Sequence, residues 1–239
     1  MTTSIVHSLE PVTLVGGGNA SEKQVLDTIA RAPTCVAADG GASLALRAGV
    51  ELMAVIGDFD SLDPALRDTL PPDRVHHIAE QDSTDFDKAL RNVDAPLVLA
   101  VGFTGARLDH QLAVLYVLTK YPDRPCIVIG ETELTLLCPP RLDLSTQPGD
   151  VVSLFPLGPV QGRSEGLKWP IDGLAFGPLT QIGTSNAALG PVTIEVDAPH
   201  MLLMLPLAQL DAVIQALVSA PPSARWPARA ARYKGPPQS

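Results

Sequence analysis

The stretch VIGDFDSL, residues 55–62, places two carboxylates, Asp58 and Asp60, directly behind an apolar run. Such a run, ending in Gly and Asp, is typical of a buried strand that enters a loop at the edge of a sheet. Side chains two apart in an extended segment point the same way, so both carboxylates should crowd one spot. They stay ionised together at low cost only with a cation between them, and Mg²⁺ prefers such oxygen ligands. The alternative is a turn-forming Asp58 followed by a helix-capping Asp60.

Short apolar runs recur through the first 140 residues and alternate with helix-like segments. One helix is predicted to begin at Ser21, because Gln24 three residues later completes a capping box. Another is predicted over 109–121, where apolar residues recur at helical spacing. This alternation predicts an α/β fold, a parallel Rossmann-like sheet with helices on both faces. The predicted strands are Val12–Val15, Cys35–Ala38, Leu52–Ile56, Val75–Ile78, Leu97–Val101 and Cys126–Ile129.

The character of the chain changes after residues 139–140, which are both proline. From 147 to about 206 the apolar runs are short and separated by glycine and proline, which is typical of a small antiparallel β domain. We expect a linker near 139–149, a helix over 207–219 and then a basic, Pro-rich, loosely ordered tail with Arg225, Arg229, Arg232 and Lys234. The predicted organisation is an α/β catalytic domain (1–145), an all-β sandwich (146–206) and a C-terminal helix with its tail (207–239).

Composition narrows the class of protein. The net charge of −9 argues against a nucleic-acid-binding surface or an anionic membrane partner, since both require a basic patch. No apolar run reaches about 18 residues and the N-terminus lacks the pattern of a signal peptide, so we expect no membrane span. The three cysteines show no metal-binding spacing, which predicts buried, reduced thiols in a cytoplasmic protein.

Polar and glycine-rich stretches follow five consecutive predicted strands. They are residues 16–19, 39–41, 57–61, 81–85 and 102–110. In a parallel sheet, ligands bind beyond the carboxyl ends of the strands, so these stretches should meet at one edge. The triple glycine at 16–18 would let the backbone approach a phosphate, although a plain tight turn explains it equally well.

Charged residues in the last two of these stretches extend the predicted site. Asp82, Asp85 and Lys88 are spaced i, i+3, i+6, which would place them along one face at the start of a helix. An ordinary cap with an intrahelical ion pair explains this spacing too. Arg107 would offer a fork to phosphate oxygens. Together, four acids and one lysine predict metal and phosphate chemistry.

The motifs ADGG (38–41), GDFDS (57–61), QDSTDFDKAL (81–90), GFTGARLDH (102–110), GLKWP (166–170) and TSN (184–186) occur in that order. In these motifs the chain resembles the thiamine pyrophosphokinases, over roughly residues 12 to 206. The resemblance implies an α/β catalytic domain and a β-sandwich that helps to bind thiamine. It implies a homodimer with active sites between subunits, and Mg²⁺-dependent transfer of the terminal diphosphate of ATP to thiamine, releasing AMP.

The resemblance also implies roles for individual residues. The implied catalytic residues are Asp58, Asp60, Asp82, Asp85, Lys88, Arg107 and Asp109. Four of them, Asp58, Asp60, Asp82 and Asp85, are the implied metal ligands. The implied nucleotide- and thiamine-binding residues are Asp39, Gly40, Gln81, Thr84, Ser185 and Asn186. The general base stays open, with Asp85 as one candidate.

Two departures and several alternatives remain at this point. Ala106 stands where the family usually has a second glycine, and the segment after 207 lies outside the family pattern. The alternatives are a nucleotide-sugar transferase, a Mg²⁺ phosphohydrolase and a catalytically silent thiamine or nucleotide sensor. A transferase does not explain residues 81–90, a hydrolase would carry its Asp-x-Asp after the first strand, and a sensor has no need of the full acidic set.

Overall fold

The computed structural model describes residues 4–105 and 107–229. Within that part, the strands are β1 (Val6–His7), β2 (Val12–Val15), β3 (Thr34–Ala38), β4 (Ala54–Gly57), β5 (Val75–His77), β6 (Val93–Asp94), β7 (Val98–Val101), β8 (Cys126–Ile129), β9 (Glu133–Leu137), β10 (Arg141–Leu144), β11 (Val151–Pro156), β12 (Val160–Leu167), β13 (Ala175–Phe176), β14 (Gly183–Val196) and β15 (Met201–Pro206). The helices are α1 (Glu22–Ile29), α2 (Gly41–Arg47), α3 (Pro64–Arg67), α4 (Asp85–Arg91), α5 (Leu108–Lys120) and α6 (Leu210–Ser219).

The protein is a mixed α/β protein, and its N-terminal strands pair in parallel. β2, β7 and β8 form one parallel ladder, and β3, β4 and β5 form another. β2 meets the chain just before β3 through a bridge between Val12 and Pro33 and a 2.7 Å hydrogen bond from the Thr13 hydroxyl to the Ala32 carbonyl. The six predicted apolar runs all contain strands, with ends within about two residues.

One ten-stranded sheet continues from these strands into the C-terminal half of the chain. From β8 the order runs through β9, β15, β11, β14 and β12 to β13, and these pairs are antiparallel. β10 pairs with β14, so the prediction of a linker over 139–149 is wrong for 141–144. Leu142 and Leu144 are buried and alternate with exposed residues, a period-two pattern that the prolines before it obscured.

Three predicted helices lie where the sequence patterns place them. Ser21 and Gln24 form the capping box at the start of α1. The helix predicted over 109–121 is α5, and residues 207–219 form a 3₁₀ turn followed by α6. Arg31, just after α1, lies 2.5 Å from Asp211 in α6. No helix in the described ranges is long and apolar enough to cross a membrane.

The basic tail is described only in part. Arg232 and Lys234 lie outside the described residues, whereas Arg225 and Arg229 lie inside them. The indole Nε1 of Trp226 donates to the Cys138 carbonyl over 2.8 Å, which attaches this segment beside β9 and β10. The prediction that the tail is loosely ordered is therefore wrong at Trp226.

Candidate active site

The carboxyl ends of β2, β3, β4 and β7 come together through close backbone contacts. The Gly18 amide donates to the Gly102 carbonyl over 2.7 Å, and the Asn19 side chain donates to the Gly105 carbonyl over 2.8 Å. A Cβ on Gly41 would lie 2.1 Å from the Val15 carbonyl oxygen. Only glycine therefore lets the first residue of α2 pack against the end of β2.

An acidic group formed by Asp39, Asp58 and Asp60 lies at this edge. Each offers a carboxylate oxygen, and these oxygens all lie within 4.8 Å of one another. Asp39 has φ 42° and Phe59 has φ 63°. The sequence predicted that Asp58 and Asp60 converge, and it predicted an extended backbone between them. The extended backbone is wrong, because Phe59 has a positive φ in the left-handed region.

The Asp39 carboxylate is incompletely satisfied. Asp39 is 2% exposed, its Oδ2 accepts from the Ser61 amide over 3.2 Å, and among the residues that the structure describes its Oδ1 has no hydrogen-bond partner. Burial and then the charge of Asp85 raise the pKa of Asp39, while bonds from Ser61 and Gly40 act against them. A divalent cation would supply the missing partner of a buried oxygen, so the residues present fit Mg²⁺.

Lys88 connects the acidic group to α4. Its Nζ is buried and lies 2.5 Å from Asp58 Oδ2 and 3.2 Å from Asp85 Oδ1. The hydrogen bond from Lys88 is the main reason that the pKa of Asp58 is lowered. Burial opposes the ammonium form of Lys88, but its two carboxylate partners outweigh burial and raise the pKa of Lys88. The pKa of Asp85 is raised, chiefly by burial, although Lys88 acts against this.

The residues just before α4 have two different roles: Gln81 contacts the acidic group, and Thr84 caps the helix. Gln81 Nε2 donates to Asp58 Oδ2 over 3.4 Å. The Thr84 hydroxyl accepts from the Asp87 amide and caps α4, as the capping alternative predicts. The helix begins at Asp85, so the prediction that Asp82 shares its face is wrong. Asp82 is exposed in the preceding loop and is not a member of the acidic group.

Arg107 and Asp109 lie at the start of α5, beyond the loop that follows β7. Their side chains pair with each other at 2.6 Å, and both are exposed. This pairing raises the pKa of Arg107 and lowers that of Asp109. Among the described residues, Arg107 forms its ion pair with Asp109 and not with the acidic group. Ala106 itself lies outside the described residues.

Gly40 and Asp39 occupy the junction between β3 and α2. Gly40 is the N-cap of α2, and a Cβ on it would lie 3.5 Å from Ser61. Asp39 was predicted as a nucleotide-binding residue, and the structure places it in the acidic group instead of Asp82 or Asp85. The signal that could have found it is the position of ADGG directly after a buried strand.

The residues predicted to face thiamine lie on β14, away from the acidic group in sequence. Asn186 is buried, and its side chain bonds both backbone groups of Trp169, at 3.1 and 2.7 Å. Trp169 is 55% exposed, with the Lys168 ammonium 4.7 Å from its ring centroid. Ser185 is exposed with φ 61°, and its amide donates to the Ser153 hydroxyl. Asn186 therefore fixes the backbone that presents the tryptophan ring.

Sequence reasoning missed the environment of Asp87 and the aromatic contact beside the acidic group. Asp87 is buried against Lys120 and Tyr121 of the α5 end. The Phe59 ring stacks on His77 with centroids 5.7 Å apart. Both contacts join residues from different elements, and a single sequence without the fold gives no signal for them.

An acidic group and a buried lysine at the carboxyl edge of parallel strands are typical of α/β proteins that handle nucleotide phosphates with a divalent cation. Residues 25–129 match the family model of the thiamin pyrophosphokinase catalytic domain, and residues 139–201 match that of the thiamin pyrophosphokinase vitamin B1 binding domain. The chain belongs to the thiamine pyrophosphokinase family. This membership does not favour the alternative functions considered from the sequence.

Individual relatives and solved structures agree with this assignment. Thiamine pyrophosphokinases 1 and 2 of Arabidopsis thaliana are 28% and 30% identical to this chain over 65% and 59% of its length. The matches span 66% and 61% of those relatives' own lengths. A crystal structure of thiamin pyrophosphokinase from Geobacillus thermodenitrificans is similar in fold, with a TM-score of 0.66, 24% identity and coverage of 82% of this chain and 96% of that one. That from Candida albicans has a TM-score of 0.68, 17% identity and coverage of 84% and 92%.

Proposed function

We propose that this protein transfers the terminal diphosphate of ATP to the hydroxyl of thiamine, giving thiamine diphosphate and AMP. The observation that carries the proposal is the group of Asp39, Asp58 and Asp60 with the Lys88 ammonium bonded to Asp58. The family membership supports thiamine as the acceptor.

Mg²⁺ would be held by Asp39, Asp58 and Asp60, and its chemistry would be to neutralise the charge of the polyphosphate. Asp39 Oδ1, which finds no hydrogen-bond partner in the described ranges, supports this assignment. Asp85, which lies 3.2 Å from Lys88, is retained as a further acidic residue of the site, and so is Asp82 in the loop before α4.

The remaining residues position the reactants, which is the main task of a protein in phosphoryl transfer. Lys88 fixes the Asp58 carboxylate and keeps one positive charge behind it. Arg107 is exposed at the start of α5, and its guanidinium fork would exchange the Asp109 carboxylate for phosphate oxygens. Asp85, with its raised pKa, would accept the proton of the thiamine hydroxyl at a carboxylate oxygen.

Gly40, Gln81 and Thr84 complete the nucleotide side of the proposed site. Gly40 leaves room beside Ser61, Gln81 contacts Asp58, and Thr84 fixes the start of α4. On the thiamine side we assign Ser185 as a direct contact and Asn186 as the residue that holds Trp169 in place.

We propose a homodimer whose active sites lie between subunits. An apolar stripe on α5 supports this, because Leu108, Leu112 and Tyr116 recur at helical spacing and are 69%, 58% and 57% exposed. The stripe begins next to Arg107, so a partner covering it would reach the edge of the site.

The finer architecture and the location are proposals as well. The parallel N-terminal strands are consistent with a Rossmann-like domain over 1–145, and the antiparallel C-terminal strands with a β-sandwich over 146–206, before the segment 207–239. The three buried, unpaired cysteines favour a reducing compartment, and we place the protein in the cytoplasm.

The test is incubation of the purified protein with ATP, Mg²⁺ and thiamine, followed by chromatography of nucleotides and thiamine esters. AMP and thiamine diphosphate in equal amounts are expected. ADP with thiamine monophosphate would mean transfer of the γ-phosphoryl group, and thiamine left unconsumed would contradict the proposal. An Asp58→Asn variant is the matched control and should lose about a hundredfold or more in turnover.

A further inference from the structure

We propose that Asp87, Arg91 and Glu80 form a chain of charges that positions the loop carrying Gln81 and Asp82 for nucleotide binding. The inference rests on the proposed function, and it concerns residues that lie behind the acidic group. None of the three belongs to the site described above, and each acts through the loop or through α4.

The chain begins at a buried carboxylate between two helices. The Asp87 side chain is 5% exposed, and it lies 2.6 Å from Lys120 Nζ and 2.7 Å from the Tyr121 hydroxyl. Lys120 is the last residue of α5 and Tyr121 is its C-cap, so Asp87 attaches α4 to that helix end. A buried carboxylate needs such partners, since an unpaired one would be costly.

The chain continues through Arg91 to the loop. Arg91 Nη1 lies 3.6 Å from Asp87 Oδ1 and 2.6 Å from Glu80 Oε1. Glu80 in turn accepts a hydrogen bond from the Ser83 hydroxyl over 2.5 Å. Arg91 and Ser83 are the main reasons that the pKa of Glu80 is lowered, which keeps this carboxylate ionised. Glu80 and Ser83 thus bracket Gln81 and Asp82 from both sides in sequence.

α4 presents adjacent faces to the two sets of residues. Asp85 and Lys88 pair with each other beside the acidic group, whereas Asp87 and Arg91, one turn apart, pair on the neighbouring face of the helix. The same helix that carries Lys88 is therefore attached to α5 and to the loop through that neighbouring face. Charges balance along the chain, because Lys120 and Arg91 face Asp87 and Glu80.

The experiment compares Glu80→Gln with Glu51→Gln. Glu51 pairs with Arg74 at 2.7 Å, a distance close to that between Glu80 and Arg91, but it lies outside the site and outside this chain of charges. We expect Glu80→Gln to raise the KM for ATP about tenfold with kcat within about threefold, the size of a lost charged hydrogen bond. Glu51→Gln should change neither constant. If Glu80 served only folding, Glu80→Gln would reduce the fraction of folded enzyme. The apparent kcat would then fall while the KM for ATP stayed unchanged.

Amide hydrogen exchange of residues 80–84 gives a readout that does not depend on turnover. Faster exchange is expected in Glu80→Gln than in the wild type or Glu51→Gln. An unchanged KM for ATP in a wild-type-like Glu80→Gln enzyme would overturn the inference. If the wild type makes no thiamine diphosphate, the proposed function fails. In that case amide hydrogen exchange alone tests the positioning role. Unchanged exchange rates of residues 80–84 in Glu80→Gln would overturn it, and faster exchange would support it.

Discussion

Lys88 Nζ lies 2.5 Å from Asp58 Oδ2, and the lysine side chain is 1% exposed. A buried ammonium bonded to a carboxylate of the acidic group couples the stability of the fold to the chemistry of the site. Removing one partner leaves the other charge buried and unpaired, which lowers the free energy of unfolding.

Lys88→Met should therefore lower both stability and activity. We expect a loss of about 3 kcal/mol in the free energy of unfolding and a hundredfold or greater fall in turnover. Urea unfolding and the diphosphate-transfer assay measure the two effects. Lys23→Met removes an exposed pair with Asp27 and should cost under about 1 kcal/mol. Equal losses of stability and activity in Lys88→Met and Lys23→Met would contradict the role of the buried Lys88–Asp58 pair.

Asp39→Asn should stabilise the protein and inactivate it. Within the described part of the chain, the buried Oδ1 of Asp39 lacks a hydrogen-bond partner, and asparagine carries no charge while tolerating φ 42°. In the absence of Mg²⁺ we expect a gain of about 1 kcal/mol, or roughly 3 °C in Tm, with activity lowered at least a hundredfold. Differential scanning calorimetry and the enzyme assay check this. A lower Tm would show that the ionised carboxylate is not a source of instability.

Adjacent glycines should respond very differently to alanine. Gly41→Ala places a Cβ 2.1 Å from the Val15 carbonyl oxygen, whereas Gly40→Ala meets Ser61 at an ordinary 3.5 Å. We expect Gly41→Ala to lose about 3 kcal/mol or more, and Gly40→Ala to stay within about 1 kcal/mol of the wild type. Soluble yield and chemical denaturation measure both. Comparable stability of the two variants would mean that α2 does not pack so closely against β2.

Asn186 and Ser185 should separate a positioning role from a direct one. Asn186→Ala removes three hydrogen bonds to the backbone of Trp169 and Ala187, so we expect a loss of about 2 kcal/mol and a raised KM for thiamine. Ser185→Ala should leave the unfolding free energy unchanged and raise only the KM for thiamine. Identical thiamine kinetics in Ser185→Ala and wild type would remove Ser185 from the proposed contacts.

Tyr121 should make stability depend on alkaline pH. Burial, and then its bond to Asp87, raise the pKa of Tyr121 above the ordinary 10.0, so its contribution is complete below that value and is lost as pH rises through the folded pKa. Tyr121→Phe should cost about 1 kcal/mol near neutral pH, and less above about pH 10. Tyr116→Phe, at an exposed position of α5, is the control. A pH-independent cost in Tyr121→Phe would contradict this.

The N-terminal strands were predictable because they are buried on both faces. A strand with no solvent-facing side reads as a continuous apolar run, as in Val12–Val15 and Cys126–Ile129, and its position follows from the sequence. Short strands such as β6 and β10 lack that signal, because half of their residues face solvent. Their place is decided by the partner strand, which is remote in sequence.

The sequence predicts where in the fold the acidic site lies better than it predicts which carboxylates approach one another. Polar residues after successive parallel strands must meet at one edge, which places Asp39 and Asp58 together. Which carboxylates actually approach depends on backbone turns such as that at Phe59, and no local pattern specifies a positive φ for phenylalanine. The contact of Asn186 with Trp169 likewise depends on the pairing of β14 with its neighbours.

The strand ladder shared by β8, β9, β15 and β11 has a mechanical consequence. Because main-chain hydrogen bonds run without a break from β8 to β11, the two halves of the chain share one sheet and should move together. Rotating one half away from the other would break the β9–β15 hydrogen bonds. Hinge closure between the halves is therefore disfavoured. If the proposed reaction takes place, access to the acidic group is therefore expected to depend on the loops at the carboxyl edge of the strands and not on hinge motion.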